Sequence, residues 1–174
     1  MSEAMEAHEH AEHAEHASEP FTKKVAATMA IIAACLAIVA VLGHLKTTEE
    51  LLNQQKASDQ WSFYQAKSIR RYESEIARDV LAATKGEKIA EYSANAERYK
   101  KESEDIQEKA KDFEKESDIA GRQALRLHFG EIFLEMAIVF ASLAILAKRE
   151  MLWGVSVAGA VIGIAIALTV LTIH

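Results

Sequence analysis

Residues 25–45 read VAATMAIIAACLAIVAVLGHL, and residues 152–173 read LWGVSVAGAVIGIAIALTVLTI. Neither stretch contains Asp, Glu, Lys or Arg. At a rise of about 1.5 Å per residue, each is long enough as a helix to cross the roughly 30 Å hydrocarbon layer of a membrane. A core helix of a soluble protein would need a surrounding shell that 174 residues cannot supply. These two stretches therefore decide the class: an all-α integral membrane protein. The first is too long for the apolar region of a cleaved leader and reads as an uncleaved anchor.

A third span is less even. Residues 136–147 form an unbroken apolar run, too short alone, and extension back to Leu127 brings in His128, Glu131 and Glu135. The expected order is an acidic tail over 1–22 and a first span over 23–46. An extramembrane region over 47–126 follows, then a second span over 127–147, a short loop over 148–151 and a third span over 152–174. Lys23, Lys24, Lys148 and Arg149 lie at one set of span ends and Lys46, Lys56, Arg122 and Arg126 near the other, the first set tighter against the membrane and including the short Lys148-Arg149 turn. The excess of Lys and Arg in short cytoplasmic connections places the N-terminus inside and residues 47–126 outside the cytoplasmic membrane.

Between the first two spans the chain has no Pro, two Gly and charges of both signs throughout, which favours long helices. Thr84-Lys85-Gly86 is the one turn signal near the middle, with Gly86 suited to a left-handed position past a helix end. It splits the region into two arms of about forty residues, each some 60 Å long as a helix. Arms of equal length predict an antiparallel coiled-coil hairpin that returns to the membrane.

The second arm carries the clearer pattern. Ile89, Ala96, Ser103, Ala110, Ser117 and Ala124 lie seven apart. Tyr92, Tyr99, Ile106, Phe113, Ala120 and Leu127 form the alternate series, three residues later in each heptad. On the first arm Ile69, Tyr72, Ile76, Val80 and Ala83 are expected to complete the seam near the tip. Two helices with so thin a seam bury little apolar area, so association with further copies, a homo-oligomer, is predicted. Gly159 and Gly163 form a GxxxG in the last span, and Ala26, Ala30 and Ala34 repeat every four residues in the first. Both patterns permit close helix approach, within one chain or between chains.

Charge and composition narrow the function classes. All of the net charge of −6 comes from residues 1–20, which hold six Glu and no Lys or Arg. The remaining residues balance 20 acidic against 20 basic side chains, with no basic stripe to bind nucleic acid. A single Cys excludes an internal disulfide framework and a Cys-rich zinc site, and no phosphate-binding or nucleophile motif is present.

Two groups of residues could carry chemistry. His8, His10, His13 and His16 alternate with Glu and Ala in the tail, donors suited to a divalent transition metal; the same composition also suits a solvated acidic tail. His44, His128, Glu131 and Glu135 gather at the outer membrane boundary. Ionisable residues at that depth suit a metal site, a cation site or a proton relay. They equally suit an interfacial Glu paired with Arg126 or Lys46. Trp153 beside Lys148 and Arg149 reads as an interfacial anchor, and Cys35 as a small hydrophobe.

Nearly the whole chain resembles a family of small bacterial membrane proteins described as a domain of unknown function. The resemblance rests on MSEAMEAHEHAEHAEHA, PFTKKVAATMAIIAACLAIVAVLGHLKTTEE, WSFYQAKSIRRYESEIARD and RLHFGEIFLEMAIVFASLAIL. It implies a bacterial envelope location and brings no activity and no site residue with it. The residues favour a structural or scaffolding membrane oligomer over an enzyme. The partners expected are membrane lipids, further copies of the chain, and a protein partner at the hairpin. The alternative is a metal-binding or ion-conducting membrane protein using the His tract or Glu131 and Glu135.

Overall fold

A computed structural model describes residues 20–173. Three helices make up nearly all of it: α1 over Pro20–Ala83, α2 over Ile89–Ala147 and α3 over Glu150–Leu168, followed by a 3₁₀ turn over Thr169–Thr172. Each is long and apolar enough over part of its length to cross a membrane, the mark of a membrane protein. The expected loop over 148–151 is shorter, since α3 already begins at Glu150. Among the described residues, 20–44 with 123–173 form one compact unit and 45–122 another, and α1 and α2 contribute to both.

In the first unit the inward residues follow helical spacing. Val25, Ile32 and Val39 of α1 are buried seven apart. Leu127, Gly130, Leu134, Ala137, Ala141 and Ala144 of α2 are buried at three- and four-residue steps, as are Ser156, Ala160, Gly163 and Ala167 of α3. Most of these are small, so the helix backbones approach closely. The Ser156 hydroxyl, fully buried, donates to the Ala137 carbonyl at 2.7 Å. That bond gives a polar group in an apolar setting a partner within the chain. Ala26, Ala30 and Ala34 lie on the outward face of α1.

In the second unit the heptad series on α2 faces inward. Ala96, Ser103, Ala110, Ser117 and Ala120 are buried, and Tyr92, Tyr99, Ile106 and Phe113 are half-buried between them. The expected series on α1 does not. Ile69, Tyr72, Ile76 and Val80 are 58%, 53%, 63% and 56% exposed, and Ala83 is exposed as well. The inward face of α1 instead presents Asn53, Ala57, Gln60, Tyr64, Lys67, Arg71, Ser74, Arg78 and Leu81. The reason is spatial. The α2 seam already supplies large rings, and α1 answers with short side chains or with flexible stems that lie along them. The Lys67 ammonium sits 5.4 Å from the Tyr99 ring centre and the Lys56 ammonium 5.3 Å from that of Phe113.

The break between α1 and α2 also differs from expectation. Gly86 is not left-handed; Lys85 is, at φ 52°, followed by Lys88 at φ 75°. The Gly86 amide donates to the Leu81 carbonyl at 2.8 Å, closing a Schellman-type end with Lys85 in the position glycine usually takes. Gly86 leaves room for a Leu81 methyl, which would stand 2.5 Å from a Cβ there and would have to turn aside to admit one. The same end recurs after α2, with Lys148 at φ 49° and the Arg149 amide on the Ala144 carbonyl at 3.3 Å. A left-handed lysine carries a Cβ clash that glycine lacks, so Lys85→Gly will raise stability by about 1 kcal/mol, read as a higher melting temperature by circular dichroism.

Candidate functional site

Polar side chains concentrate in two places, one in each unit. In the first unit, His128 and Glu131 lie one helical turn apart on α2, so both project to one side. The His128 Nδ1 and a Glu131 carboxylate oxygen are 3.1 Å apart. His44 of α1 meets His128 edge to face, ring centres 6.3 Å apart. The bare backbone of Gly43 makes this approach possible, since a Cβ there would stand 3.3 Å from His128 Cε1. The structure thus brings together His44, His128 and Glu131.

Glu135 lies apart, exposed on the outward face of α2 among Ile132, Met136 and Val139. Among the described residues no three His, Cys, Asp or Glu side chains are grouped to hold a metal ion. Of the two cations considered as partners for an interfacial Glu, Arg126 and Lys46, Lys46 pairs with Glu49 at 2.7 Å. His8, His10, His13 and His16 lie outside the described residues.

In the second unit the polar groups tie α1 to α2. The Ser117 hydroxyl donates to the Glu50 carbonyl at 3.0 Å, and the Trp61 indole N–H to a Glu114 carboxylate oxygen at 2.8 Å. Lys67 pairs with Glu102. The Lys67 ammonium, by hydrogen bonding, holds the Glu102 carboxyl below its ordinary range, with Arg98 and Arg70 adding to the pull. The Tyr99 hydroxyl is lowered in the same way, chiefly by its bond from Arg98. Trp61 also borders an open groove of about 480 Å³, with Gln54, Ala57, Glu114, Ser117 and Asp118. Apart from Trp61, the residues lining this groove are polar or small.

Sequence reasoning missed the packing role of two residues in the first unit. Gly130 is buried where α2 meets α3: a Cβ on Gly130 would stand 2.8 Å from the Gly163 carbonyl, and one on Gly163 would stand 2.8 Å from that of Gly130. A lone Gly inside an otherwise helical apolar stretch was the available signal. The GxxxG of α3 thus packs within the chain. Lys24 is the other, its ammonium 4.0 Å above the ring of Trp153, whose N–H donates to the Thr28 hydroxyl at 3.3 Å. Spacing could not have paired residues so distant in sequence.

A family described as "Domain of unknown function (DUF4337)" matches residues 21–173. No curated protein and no solved structure matches the chain.

Proposed function

We propose that this chain, which belongs to the DUF4337 family, is a structural or scaffolding protein of the bacterial cytoplasmic membrane that works as a homo-oligomer. In this reading the N-terminus is cytoplasmic, and residues 45–122 form an antiparallel coiled-coil hairpin on the outer side. The order of contacts supports the hairpin: Glu50 with Ser117, Trp61 with Glu114, Lys67 with Glu102.

One observation carries the oligomer. Every buried side chain of residues 45–122 is Ala, Ser or Asn: Asn53, Ala57, Ser74, Ala96, Ser103, Ala110, Ser117 and Ala120. Leu51, Leu52, Phe63, Ile69, Tyr72, Ile76 and Val80 are all more than half exposed. The hydrophobic effect scales with apolar area removed from water; this unit buries only small side chains completely enough to form a core, holds its large rings half-buried, and leaves seven large apolar side chains mostly in the open. Further copies of the chain would cover that surface. A membrane that holds copies in one plane raises their encounter rate and supports such assembly.

Native mass spectrometry of the untagged chain in mild detergent, without added metal, tests this. A discrete metal-free oligomer is expected, and a monomer overturns the reading. About one bound metal per subunit would favour the second reading, a metal- or ion-handling membrane protein. His44, His128 and Glu131 motivate it, because ionisable groups in a membrane-spanning segment are costly without a use.

A further inference from the structure

We infer that two copies of this chain meet along the outward stripe of α1 made by Ile69, Tyr72, Ile76 and Val80, helix against like helix, parallel and in register. The inference rests on the oligomer proposed above and names the surface that makes it. The four residues follow at steps of three, four and four, the spacing that keeps one helix face in contact with a partner helix. They are 53–63% exposed, while the opposite face of the same helix turn carries Lys67, Arg71, Ser74 and Arg78 toward α2. The stripe is therefore the apolar side of this stretch, and α2 leaves it uncovered.

Area and geometry favour a second copy as the occupant. From side-chain size and exposure, the four residues offer on the order of 500 Å² per copy, about 1,000 Å² between two, the lower limit for a specific interface. Copies anchored in one membrane and related by rotation about its normal hold equivalent residues at equal height. Ile69 then faces Ile69, and Ile76 faces Ile76. In parallel in-register helices the flanking positions five apart also meet, here Ser68 with Glu73 and Glu75 with Val80. Neither pairing sets like charges against each other. A different protein would need a complementary stripe at the same height, whereas a second copy has one by construction.

The test uses the full chain in its membrane. Cys35, the one cysteine, is replaced by alanine, and single cysteines are placed as Ile69→Cys, Tyr72→Cys or Ile76→Cys. Ala94→Cys, on the exposed side of α2, is the control. Mild oxidation should give covalent dimers at the three stripe positions, where facing Cα atoms come within disulfide reach, and little at position 94. Adding Ile76→Glu to the Tyr72→Cys variant should abolish the dimer, because two carboxylates would then face each other. No cross-link at any stripe position in a chain that native mass spectrometry shows to be oligomeric would overturn this surface and leave the oligomer standing. Equal cross-linking at position 94 would overturn it too. A monomeric mass would remove both.

Discussion

Gly163→Val will separate α2 from α3. A Cβ at Gly163 stands 2.8 Å from the Gly130 carbonyl, 3.0 Å from Phe133 Cβ and 3.2 Å from Leu134 Cγ. The nearest obstacle is backbone, and Leu134 is fully buried, so neither can turn aside. The helices must move apart, which opens the contacts of Ala137, Ala160 and Ala167 and lengthens the Ser156 bond to the Ala137 carbonyl. Overpacking of a close-fitted core costs about 1–3 kcal/mol, and a clash with backbone belongs at the upper end. Unfolding by SDS titration, followed by Trp153 fluorescence and circular dichroism, should show it. Gly159→Ala is the matched control within the same GxxxG, since a Cβ there meets nothing closer than 3.7 Å. Gly154→Ala meets nothing within 4 Å. If Gly159→Ala and Gly163→Val instead lowered the oligomer mass together and left unfolding unchanged, the motif would be working between chains.

Ala110→Leu will loosen α1 from α2 in residues 45–122. Ala110 is fully buried where the arms come together, and leucine adds three carbon atoms in a space with no room for them. The expected loss is again about 1–3 kcal/mol, because side chains and backbone must shift to admit the larger group. Lys111→Leu, at the next residue and exposed, should stay within about 0.5 kcal/mol of the parent chain. Thermal melting and the rate of limited proteolysis near residues 84–88 read both variants. Equal sensitivity at 110 and 111 would mean that the small-residue series does not form the seam.

The contrast between the two arms shows how far pattern alone reaches. On α2 the alternation of small residues with Tyr92, Tyr99, Ile106 and Phe113 ran through six heptads, and the burial follows it. On α1 a shorter and less regular apolar series pointed the other way. Periodicity identifies residues that share a helix face, because 3.6 residues make a turn; it does not identify what that face meets. Lys67 and Arg71 are counted as polar, yet their stems pack, and no hydropathy pattern anticipates a lysine against Tyr99. The same limit applies to Gly86, whose type suggested a left-handed backbone that Lys85 adopts instead. What glycine supplies there is its missing Cβ, which leaves room for a methyl of Leu81 five residues earlier.

Among the ionisable residues, the i, i+3 spacing of His128 and Glu131 was readable as a shared face, and the two are paired. That His44 would join them and Glu135 would not depended on where α1 crosses α2. The amino-acid sequence by itself determined the all-helical class, three helices able to cross a membrane, the central break and the inward face of α2. Those follow from chain length, uncharged runs and helical period, which are local. Only the tertiary structure decided that α1 turns its polar side to α2, that Gly130 and Gly163 meet, and that Glu135 stands outside the histidine cluster. Each depends on contacts between residues far apart in the chain, and close packing settles those by shape.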